Sequence, residues 1–157
     1  MESNYLISHK YKLLGWILFI IGIAAGIFMF ASEYESDALN MKVLSIYSGD
    51  SLFGSEKGFF KIIENSVLDE VIALMIIIGG LLVGFSKEKV EDEFTFKLRK
   101  DSLVWALLFN YLILALAVIF IYDFTFFDVL VFNMFTPLIF FVVRFNFLMY
   151  KSRTNEE

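Results

Sequence analysis

From Leu13 to Ala31 the chain runs nineteen residues without a charge, and from Leu103 to Tyr122 it runs twenty. At 1.5 Å per residue each run makes about 28–30 Å of helix, the thickness of a bilayer's hydrocarbon core. Lipid offers the backbone no hydrogen bonds, so such runs must satisfy their own N–H and C=O groups as helices. Val71 to Phe85 is apolar but short, and reaches spanning length only by recruiting flanking residues. Phe127 to Tyr150 carries only Asp128 and Arg144 as charges. The expectation is a single integral membrane domain, residues 1–157, with spans at about 13–31, 68–86, 103–122 and 127–150. The fold class is all-α, a four-helix transmembrane bundle. The first run exceeds the 7–15 apolar residues of a secretory signal, and Met29 sits at the −3 position of a cut after Ala31, so it is read as a retained anchor.

Composition narrows the chemistry. Apolar residues make up 59% and mean hydropathy is +0.72, above the roughly 45–50% apolar content of soluble domains. Cysteine is absent, which excludes disulfides, thiolate metal sites and cysteine nucleophiles together. The one histidine, His9, lies in the polar N-terminal tail. A bis-histidine haem and a Ser-His-Asp triad within the bundle are therefore excluded. Asp123 and Asp128 fall at a turn rather than at depth, and no phosphate-cradling glycine loop occurs. No enzyme, cofactor or metal centre is expected. The net charge of −5 is spread over several loops and gives no nucleic-acid footprint.

Residues 87–102 form the one densely charged bridge between apolar segments. Lys10 and Lys12, five cations of this bridge, and Lys151 and Arg153 fall on one side of the membrane, against Lys42, Lys57 and Lys61 on the other. The positive-inside rule then places both termini in the cytoplasm and the 32–67 loop outside, as in a bacterial inner membrane. Tyr11, Trp16, Trp105 and Tyr150 mark one interface, Tyr34 and Tyr122 the other. The loop's apolar clusters, Met41 to Tyr47 and Phe59 to Leu68, are expected as short interfacial helices, with turns at Gly49-Asp50-Ser51 and Gly54-Ser55. In the bridge, Lys89, Glu93, Lys97 and Asp101 alternate in sign every fourth residue, the spacing of a helix surface. The third span is therefore expected to extend into the cytoplasm from about residue 90, with Glu91, Asp92 and Glu93 at its start. Val90, Phe94 and Leu98 would form its apolar face, a candidate docking surface for a protein partner.

FSKEKVEDEF, the following KLR and DSL, and the later NMFTPLIFF resemble a family of small, uncharacterised bacterial four-span membrane proteins. The resemblance covers Phe85 to about Tyr150. It implies the four-span architecture, and the family has no assigned activity or catalytic residues to carry over.

Within the spans, Gly15, Gly22 and Gly26 share one face of the first helix. Ala73, Gly80 and Gly84 repeat the same offsets in the second. Each set contains a GxxxG, the pattern that lets membrane helices approach closely, within one chain or across a homo-oligomer. On span three, Ala106, Asn110 and Ala117 share a stripe. Asn133, Thr136, Pro137, Phe140 and Arg144 do so on span four, where Pro137 deprives the Asn133 carbonyl of its helical donor. Asn110, Asn133, Thr136 and Arg144 are the candidate polar core, with Asn110 expected to face Arg144. Two functions follow: an interaction or regulatory subunit that docks a partner through 87–102, or a homo-oligomeric transport or channel subunit that uses the polar stripe.

Overall fold

The computed structural model describes residues 5–31, 40–48 and 58–154. Four helices carry the chain: α1 (Lys12–Ala31), α2 (Leu68–Phe85), α3 (Glu93–Phe120) and α4 (Phe124–Thr154). A 3-10 turn, His9–Tyr11, leads into α1. All four helices are long and apolar enough to cross a membrane. The protein is an all-α, four-helix, multi-pass membrane protein. α2 recruits Leu68, Asp69 and Glu70 ahead of the apolar run, and its eighteen residues make about 27 Å of helix.

Between α1 and α2 the expectation fails. Asn40–Ser48 and Gly58–Ser66 are strands β1 and β2 of an antiparallel hairpin, not interfacial helices. Val43 pairs with Ile63, Leu44 with Ile62 and Tyr47 with Phe59. All but Leu44 are β-branched or aromatic residues, which favour a pleated surface over a helix. Lys42 faces Glu64 across the ladder, their charged atoms 3.8 Å apart. The 49–51 and 54–55 turns and Tyr34 lie outside the described residues.

Two helix pairs meet through one seam. α1 lies along α2, α3 along α4, and α2 joins the pairs by packing on α4. Phe19, Ile72, Ile76 and Val83 of the first pair share a core with Ala106, Phe141, Val142, Phe145 and Met149 of the second. The glycines divide their work differently from the expected pattern. A Cβ on Gly15 would come within 2.7 Å of the Leu82 Cβ, and one on Gly22 within 3.0 Å of the Ile76 nitrogen, so both hold α1 against α2. Gly80 and Gly84 instead face α4, beneath Leu138 and the Phe141 ring. The α2 residue that meets α1 is Gly79, where a Cβ would lie 2.5 Å from the Phe19 nitrogen. Gly26 makes no close approach; with Ile72 and Phe135 it lines an apolar cavity of about 640 Å³ between α1, α2 and α4. Ala73 lines the same cavity.

Asp92 caps α3, its carboxylate accepting from the Thr95 N–H at 2.7 Å. That bond holds the Asp92 carboxyl below its ordinary value of 3.8, with the Thr95 hydroxyl assisting. A depressed carboxylate pKa contributes stability above the unfolded value and loses it as pH falls through the folded one. Asp92→Asn should therefore melt below the parent at pH 7, and the gap should close as pH is lowered past 3.8. Thermal midpoints of the two chains, taken in detergent across that range, measure it. A gap independent of pH would remove the charged cap from the account.

Candidate functional site

The charged bridge folds down onto the bundle. α3 opens at Glu93, so Lys89 and Val90 belong to the preceding linker and the sign-alternating ladder keeps only Glu93, Lys97 and Asp101 on the helix. One residue organises the linker. Arg99, its side chain only 3% exposed, donates from Nη1 to Glu91 Oε1 at 2.5 Å and from Nη2 to Glu91 Oε2 at 3.2 Å. Its Nη2 also donates to the Ser86 carbonyl at 3.2 Å, and its guanidinium lies 4.9 Å from the centre of the Phe145 ring. Only a guanidinium offers that planar fork of donors together with a stacking face. Glu91 Oε2 in turn accepts the Glu88 N–H at 2.9 Å.

The N-terminal segment locks to the same linker. The Ile7 N–H donates to the Phe85 carbonyl at 2.9 Å, and the Lys87 N–H to the Ile7 carbonyl at 2.8 Å, making a parallel bridge between Ile7 and Ser86. His9 Nδ1 donates to the Lys87 carbonyl at 2.7 Å, and Lys12 forms an ion pair with buried Glu88. Glu88, Glu91 and Asp92 thus hold a lysine, an arginine and a helix N-terminus. Among the described residues no group of three or more His, Asp and Glu side chains could hold a metal ion.

What this leaves outward is small and defined. Val90 is 70% exposed and Phe94 54% exposed, whereas Leu98 turns inward against the core. The expected three-residue face is therefore a two-residue one, because the turn that carries Arg99 down to Phe145 carries Leu98 with it.

The polar stripe is only partly assembled. Arg144 donates to Ser102 Oγ at 3.3 Å and lies 5.7 Å from the Trp105 ring centre; it does not pair with Asn110. Helix register explains the difference. Phe109 stacks on Phe140 at 4.5 Å and Trp105 lies at the level of Arg144, so Asn110 sits more than a turn along α3 from that level. The Thr136 hydroxyl donates to the Phe132 carbonyl at 3.2 Å, one residue short of the Asn133 carbonyl that Pro137 leaves without a donor. Asn110 Oδ1 and Asn133 Nδ2 are buried without partners.

Sequence reasoning counted Arg99 as one of five topology-setting cations and missed its role. It is the bridge's one arginine among lysines, the signal that could have singled it out.

The fold and this end of the bundle define a small multi-pass membrane protein with a preorganised extramembrane linker. No family model, curated protein or solved structure matches the chain.

Proposed function

We propose that the protein is a non-catalytic interaction or regulatory subunit of a bacterial inner membrane, docking a cytoplasmic protein partner on Val90 and Phe94. The observation that carries this is the exposure of two large apolar side chains on backbone that is otherwise fixed. Phe94 precedes Ser102 by eight residues, about 12 Å along α3. A leaflet's headgroup layer is only about 5–7 Å deep, so with Ser102 at the hydrocarbon edge lipid does not cover Phe94. The cation excess at this end favours a cytoplasmic position for it and for both termini. The Arg99–Glu91 pair and the Asp92 cap lower the ordering cost that a partner would otherwise meet.

The test is the native mass of the full chain, taken from its own membranes into nanodiscs. A second polypeptide should be present, and Phe94→Glu with Val90→Glu should remove it. Losing one buried apolar side chain costs about 1.5–3 kcal/mol, so each change should weaken binding by roughly ten- to a hundredfold. A second polypeptide retained at parental level by the double variant would overturn the docking face.

One observation favours a second reading. The buried, unpartnered Asn110 Oδ1 of α3 and Asn133 Nδ2 of α4 suit a polar path in a homo-oligomeric transport or channel subunit. A homo-oligomer with nothing else bound, whose ion or solute flux is lost with Asn133→Leu, would select it.

A further inference from the structure

A separate cleft opens where the chain enters the bundle. Lys10, Lys12 and Lys89 stand with Glu88 around a volume of about 420 Å³ floored by Leu13 and Trp16. Glu88 is buried against Lys12, so the carboxylate is neutralised within the protein. Three lysines against one carboxylate leave two positive charges in excess. Lys10, stacked 5.1 Å from its neighbour Tyr11's ring centre, and Lys89 are exposed and make no ion pair among the described residues. The start of α1 adds to the same potential: neither it nor the 3-10 turn before it has an acid in its first turn, and Ser8 makes no side-chain cap bond.

The rim is cationic and the floor apolar, at the depth where a spanning helix leaves the hydrocarbon. Trp16 is one turn inside α1, the interfacial position an indole prefers. A soluble anion would use the rim alone. A lipid uses both, its phosphate among the lysines and its glycerol and upper chain on Leu13 and Trp16. Basic pockets beside membrane helices are recognised by anionic headgroups in this way. We infer that this cleft binds the headgroup phosphate of an anionic phospholipid, with Lys10 and Lys89 as the phosphate contacts.

The test is native mass spectrometry of the full chain in mild detergent with equimolar phosphatidylglycerol and phosphatidylcholine of identical acyl chains. Phosphatidylglycerol should be retained preferentially. Lys10→Gln with Lys89→Gln should lower that retention by roughly fivefold for each lysine removed, at an unchanged thermal midpoint. Lys10→Arg with Lys89→Arg should keep it. Lys100→Gln with Lys151→Gln, at the same end but outside the cleft, should also keep it. Millimolar inorganic phosphate should not displace the lipid. Equal retention of the two lipids, an equal loss in the Lys100/Lys151 control, or displacement by inorganic phosphate would each overturn the proposal.

Discussion

Glu91→Ala should destabilise the protein by about 3–4 kcal/mol, more than Arg99→Met at the other end of the same ion pair. The asymmetry comes from burial. Arg99 is 3% exposed, so removing Glu91 leaves a guanidinium with only the Ser86 carbonyl and the Phe145 ring to replace water. Glu91 is 21% exposed, and once Arg99 is gone its carboxylate can hydrate while methionine fills much of the vacated space. Arg99→Met should therefore cost about 1–2 kcal/mol. The double variant should be more stable than Glu91→Ala alone, because it no longer buries an unpaired charge. Denaturant unfolding in mixed micelles measures all three, and simple additivity would show that the pair is not coupled.

The second large effect belongs to a glycine. Gly79→Val should cost at least about 3 kcal/mol or abolish folding, and Gly79→Ala about 1–3 kcal/mol. A Cβ there would sit 2.5 Å from the Phe19 nitrogen and 2.8 Å from its Cα, and backbone cannot rotate aside as a side chain does. α1 and α2 would have to separate, loosening Gly15 and Gly22 from their seats as well. Gly26→Ala is the matched control. Its new methyl would meet Ile72 at an ordinary 3.6 Å beside a cavity, so its stability should stay within about 0.5 kcal/mol of the parent. If the two alanine variants melted alike, close packing would not be what Gly79 provides.

The spans were legible because lipid leaves a charge-free run of about twenty residues one way to satisfy its backbone. Asp92 was legible too, since an acid at a helix start has a local reason to be there. The hairpin was not. Met41 to Tyr47 and Phe59 to Leu68 are apolar clusters too short for a period of two to stand apart from one of 3.6. Gly79 and Gly80 are neighbours that face different helices, and spacing within one helix does not say which partner each face will meet. Arg99 reaches Ser86 and Glu91 across a folded linker, and Arg144 reaches Ser102 rather than Asn110. Those pairings are set by how far one helix slides along another, which no local pattern records.

The clasp between Ile7 and the linker has a consequence in time. Its hydrogen bonds to Phe85 and Lys87 cannot close until both apolar stretches before it have been synthesised and threaded. Until then Lys12 lacks Glu88 and His9 lacks the Lys87 carbonyl. During that interval the Lys12 ammonium is an uncompensated charge beside the first apolar run. Closure pairs that charge with Glu88, so a segment made first, with its cation unmatched, ends by fastening the first helix pair.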